Sequence, residues 1–253
     1  GLRIRNIYNY GEPTGATPQN PKSITDGIIP DTRTTRCVRL TYTDNVIDDV
    51  VVSNVRGNNG IFLCEVLMAY LHLPDFSGQN GKIGSVVVEN VKNNDGCSPI
   101  SVGANTKIDH ITLKNFYIEW KSTNEYPALV KMTDNFGGGD QWELTRINTI
   151  VIDNGHFIKG NTLYDAPHGL VWMTGIIKNL FINNLVIETL SGSTPIDSLF
   201  SGRIKYISVT NSKLDVKRVF STNGYATSDL VFRESGNEWV QNTDVGVMPN
   251  RIL

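Results

Sequence analysis

Three cysteines in 253 residues, at positions 37, 64 and 97, are too few and too scattered for a disulfide framework. No C-x-x-C pair or His–Cys cluster offers a zinc site, and Cys37, Cys64 and Cys97 read as small core residues. The four histidines, His72, His110, His156 and His168, carry no metal-ligand spacing, so no metal or cofactor is expected. No apolar run approaches the roughly 18 residues of a membrane span, and no charged-then-apolar leader opens the chain at Gly1-Leu2-Arg3-Ile4. A net charge of −2 provides no basic field for nucleic acid or an anionic membrane. Apolar residues at helical spacing over a helix length are also missing, which excludes a helical bundle and a leucine-rich repeat with helical backs.

What the sequence has instead is a phrase, apolar-x-x-apolar-x-apolar-x-Asn. It recurs six times, ending at Asn54, Asn90, Asn115, Asn154, Asn184 and Asn211. A truncated copy opens the chain, Leu2-Arg-Ile4-Arg-Asn6. A degenerate one closes it, Leu230-Val-Phe232-Arg-Glu234, with Glu234 in the place of the Asn. The intervals from Asn90 to Asn115 and from Asn184 to Asn211 are 25 and 27 residues, close to a bare repeat, and longer intervals carry loop insertions. Repetition at this period marks a solenoid.

The apolar positions are Ile and Val, which favour strands. A second apolar pair follows the Asn, as in Phe116-Tyr-Ile118, Leu185-Val-Ile187 and Leu214-Asp-Val216. A third run follows that, as in Ile61-Phe-Leu63, Ile100-Ser-Val102, Val130-Lys-Met132, Val171-Trp-Met173 and Val219-Phe220. The pattern predicts an all-β fold, a right-handed, single-stranded parallel β-helix with three strands per coil and about seven to eight coils. Residues 1–253 form one such domain, with loop insertions over 8–36 and 132–146. The repeated Asn is expected at the corner between the first two strands, where a left-handed backbone is needed that Asn tolerates, and stacked Asn side chains can hydrogen-bond from coil to coil. Gly1 opens inside a strand phrase, which predicts a fragment of a longer chain.

The outward residues speak to function. In the first strand the column Val51, Val87, Thr112, Val151, Phe181, Ser208 and Val231 is mostly apolar, although a solvated sheet face should be polar there. Such a stripe needs a cover, either the chain's own loops or neighbouring subunits. In the third strand the outward positions include Ser101, Lys131 and Trp172. A flat indole beside a charge and hydroxyls suits a sugar ring, which stacks its apolar face and pairs its hydroxyls. His168, near Trp172 in sequence, joins these candidates. The insertion Thr133–Glu143 brings together Asp134, Asp140, Glu143 and Trp142 around three glycines. Paired carboxylates are the minimum for glycoside hydrolysis, so Asp134, Asp140 and Glu143 are the catalytic candidates, and Lys131, Trp142, His168 and Trp172 the substrate-binding ones. Glu119 and Glu188 form a further carboxylate column. Gly155-His156 and Arg203-Ile204-Lys205 echo fragments of the polygalacturonase signature, but its Asn-Thr-Asp and paired Asp are missing at the required spacing, and both read as coincidences.

The repeated phrase with irregular insertions resembles the right-handed parallel β-helices of the pectate-lyase-like superfamily. The apolar outward column and the Asn/Gly/Thr-rich loops are most similar to bacteriophage tailspikes and tail appendages. That resemblance implies a homotrimer, packed through the Val51/Val87/Val151/Phe181/Val231 face, on a virion tail acting at the host cell surface. It implies binding and cleavage of a bacterial surface polysaccharide such as capsule, O-antigen or teichoic acid, by a glycoside hydrolase or polysaccharide lyase. A non-catalytic receptor-binding module and a secreted bacterial glycan-active enzyme stay open as alternatives.

Overall fold

Ile and Val fit a pleated, half-buried surface, and in this chain they set where the strands run. The computed structural model describes residues 1–9, 38–40, 46–57, 64–66, 82–93, 99–102, 107–120, 128–132, 146–160, 169–221, 229–241 and 251–253. Its strands are β1 (Leu2–Asn9), β2 (Val38–Leu40), β3 (Val46–Gly57), β4 (Cys64–Val66), β5 (Lys82–Asn93) and β6 (Ile100–Val102). They continue with β7 (Lys107–Trp120), β8 (Val130–Met132), β9 (Arg146–Lys159), β10 (Gly169–Thr189) and β11 (Ile196–Thr210). The last are β12 (Lys213–Leu214), β13 (Val216–Ser221), β14 (Val231–Ser235), β15 (Glu238–Trp239) and β16 (Arg251–Ile252).

All pairings are parallel, and the order β1-β3-β5-β7-β9-β10-β8-β6-β4-β2 carries the sheet out along the phrases and back along the third runs. A nine-strand parallel stretch curls through 217°, consistent with a β-helix solenoid. Each phrase lies on the next without slippage, so Val50, Val86, Ile111, Ile150, Leu180 and Ile207 form one column. Every member of that column is fully buried. The third runs stack in the same way, Ile100 on Val130 and Val130 on Val171. Because side chains alternate along a strand, this register feeds all the inward positions into one continuous core.

The repeated Asn sits where the backbone must turn. Asn6, Asn54, Asn90, Asn115, Asn154, Asn184 and Asn211 all have φ between 49° and 57°, the left-handed region, and no other described non-glycine residue has positive φ. Their side chains form a ladder: Asn54 donates to Asn6 (2.9 Å), Asn90 to Asn54 (3.2 Å) and Asn154 to Asn115 (2.8 Å). At Asn184 the ladder steps aside, and the amide donates to Asp153 Oδ1 at 3.3 Å. Asn is therefore selected twice, by backbone and by side chain. Asn154→Ala loses both and is expected to cost about 2 kcal/mol, whereas Asn154→Gly keeps the turn and is expected to cost about 1 kcal/mol. Urea midpoints test this; equal losses from the two variants would remove the backbone share.

Several expected positions shift. Ile61–Leu63 lie outside the described residues, and the run that stacks on Ile100 is β4, through Cys64. In the closing copy the left-handed corner is Gly236 (φ 66°) rather than Glu234. Glu234 lies on Val209, and Phe232 on Ile207. A carboxylate thus occupies an inward position of the last phrase, where it is buried and accepts a hydrogen bond from Trp239 Nε1 at 2.8 Å. The same register places Arg233, not Val231, above Ser208, so the outward apolar column ends in a charge. Its other end is Arg3, paired with Val51. Leu214 stacks on Ile187 rather than Leu185, whose neighbour is Ser212.

Candidate functional site

Strands β8 and β10 turn Val130, Val171 and Met173 into the core, where all three are fully buried. That phase sends the intervening Lys131 and Trp172 to the outer face. The two are direct register partners, and both side chains are partly exposed. Ser101 precedes Lys131 in the row, and Ser201 and then Ser221 follow Trp172. Ser201 and Ser221 are buried, so the row passes from an accessible indole into the body of the protein. Lys131 and Trp172 are the predicted site residues that the fold brings together. Asp134, Asp140, Trp142, Glu143 and His168 lie outside the described residues.

Glu119 and Glu188 share one outward column, but Ile158 stands between them. They are two strands apart, about 10 Å along the stack, rather than a pair on neighbouring strands. Glu188 also meets His156, with Nε2 to Oε2 at 3.1 Å. Among the described residues no group of three or more His, Cys, Asp or Glu is placed to hold a metal.

A second feature lies beyond the Asn corner, on the outer face of the second apolar runs. There Arg56, Lys92, Tyr117, His156 and Val186 form one register column from β3 to β10. They wall an open groove of about 590 Å³ whose edge is the Asn ladder itself. The Lys92 ammonium stands over the Tyr117 ring, 5.9 Å from its centre. Tyr117 and His156 meet edge to face with centroids 5.4 Å apart. Underneath, Phe116 folds over Gly155, and a Cβ built on Gly155 would overlap the Phe116 ring. No family model, curated protein or solved structure matches this chain.

The groove had no signature in the sequence, because each strand supplies one residue of it and the residues lie a whole turn of chain apart. The available signal was the phase set by the Asn. The second residue after each Asn is outward, which gives Arg56, Lys92, Tyr117, His156 and Val186 in order.

Proposed function

We propose that this chain is a tailspike-like parallel β-helix, three strands per coil over seven to eight coils, that binds a bacterial surface polysaccharide. The observation that carries the reading is the partly exposed Trp172 in register with Lys131 on a stacked parallel sheet. A stacked sheet fixes the indole plane before the ligand arrives, so little rotamer freedom is lost on binding. The indole packs against a pyranose face while the lysine and neighbouring polar groups take its hydroxyls.

Cleavage is the stronger form of the proposal and rests on Asp134, Asp140 and Glu143. Binding without cleavage is the second reading, favoured by the two-strand separation of Glu119 and Glu188. Assembly as a homotrimer through the face of Val51, Val87, Val151 and Phe181 belongs to the same proposal. These four side chains are all partly exposed and form one uninterrupted outward column with Thr112.

Incubation with capsule, O-antigen and teichoic-acid preparations tests the chemistry. New reducing ends indicate a hydrolase, and ultraviolet absorbance of unsaturated uronate with them indicates a lyase. Binding without either product supports the non-catalytic module, and neither binding nor product from any preparation defeats the proposal.

A further inference from the structure

We infer that the groove beyond the Asn corner is a second glycan site, selective for acidic sugars. The inference rests on the polysaccharide-binding reading but concerns a different face from Trp172.

Charge points to an acidic ligand. Arg56 and Lys92 are adjacent in the register and both exposed. Among the described residues neither has an ion-pair partner. Elsewhere on the stacked strands, lysines are met by acids one strand away: Lys213 by Glu238 at 3.5 Å, Lys114 by Glu89 at 3.0 Å and Lys82 by Asp109 at 3.3 Å. Glu188, which is not part of the groove lining, is engaged by His156 at the far end. Two neighbouring cations are thus left facing a concave space, in a chain whose net charge is −2. Like charges on adjacent strands are unfavourable unless an anion joins them.

Shape and wall chemistry suit a short sugar chain. The groove's volume, about 590 Å³, falls within the range of small-ligand sites, roughly 300–1,000 Å³. Its walls change along the column from two cations to two aromatic rings to the aliphatic Val186. Three strand steps, from Arg56 to His156, span about 14 Å, the reach of a short oligosaccharide. An anionic substituent would lie against Arg56 and Lys92, with the guanidinium fork receiving a carboxylate or phosphate on two oxygens. The sugar ring would pack along Tyr117 and His156. A neutral glycan leaves the cations unanswered and is disfavoured. The shared ligand chemistry is an oxyanion on a sugar chain, from either uronate carboxylates or phosphodiesters.

The test uses the full chain in titration calorimetry with three probes: oligogalacturonate, a glycerol-phosphate teichoic-acid chain, and neutral dextran. At least one acidic probe is expected to bind, with affinity falling as salt is raised. Arg56→Ala/Lys92→Ala is expected to weaken it at least about tenfold while leaving the thermal midpoint in place, because both side chains are exposed. Whichever acidic probe binds assigns the source as carboxylate or phosphodiester. Trp172→Ala is expected to keep the salt-dependent component of that binding, which the double variant removes. Loss of acidic binding in Trp172→Ala but not in the double variant overturns the groove and leaves the polysaccharide reading intact. Equal affinity for dextran and the acidic probes overturns the selectivity. No binding by any of the three probes overturns the groove, while the polysaccharide reading stands or falls on the capsule and O-antigen preparations.

Discussion

Gly202→Ala is expected to be the most damaging single-methyl substitution in this chain, costing about 4 kcal/mol, with loss of the folded signal at ordinary temperature. Gly202 has φ 138°, outside the regions open to a side chain. It sits opposite Met173 at the one irregularity between β10 and β11, where Met173 pairs with Gly202 and the next pairing is Ile176 with Arg203. Two additional residues of β10 are absorbed there. The strand can do so because the Gly202 backbone approaches the Met173 carbonyl, and a Cβ would overlap that oxygen. Backbone cannot rotate aside as a side-chain tip can, so the strain and the overlap add. Circular dichroism melting measures the loss. A variant melting within about 1 kcal/mol of the parent would show that the irregularity is not fixed as described.

Gly155→Ala is the second large effect, about 2 kcal/mol, with a different cause. Gly155 lies between Phe116 and Leu185 in the second column. The Phe116 ring fills the space a side chain would need. Here the obstacle is a ring, so the penalty should shrink when the ring shrinks. In a Phe116→Leu background, Gly155→Ala is expected to cost well under half as much, and a double-mutant cycle by urea denaturation reads the coupling. Additive losses would contradict the packing assigned to this pair. The pair also belongs to the groove, because Phe116 and Gly155 both line it.

The contrast between these glycines and the asparagines explains how much was legible in the sequence. The phrase carried its own phase marker. Once Asn54, Asn90, Asn115, Asn154, Asn184 and Asn211 are aligned, the inward column from Val50 to Ile207 follows from alternation, and the strands stack in that register. Where the marker changes identity, phase is lost. Gly236 replaces the Asn in the closing copy, and reading Glu234 in its place shifted Val231 into a column that belongs to Arg233. The run Ile61–Val66 is apolar at five of its six residues, so alternation could not decide between Ile61 and Cys64 as the stacked residue. Gly202 and Gly155 answer to neighbours a full turn of chain away, which no local pattern encodes.

The candidate site divides in the same way. Trp172 and Lys131 were legible because they occupy the middle of apolar-x-apolar runs. Arg56, Lys92, Tyr117 and His156 become a site only through strand stacking. Asp134, Asp140 and Glu143 are gathered by sequence proximity and lie outside the described residues.

The central claim is that the outer face carrying Trp172 binds a surface polysaccharide. Calorimetric titration of the full chain and of Trp172→Ala with a panel of capsular and O-antigen polysaccharides tests it most directly. The account predicts saturable binding of at least one polysaccharide by the parent chain. It predicts affinity reduced up to about tenfold in Trp172→Ala, with an unchanged melting midpoint. Binding that is identical in the two proteins, or no binding across the panel, would contradict it.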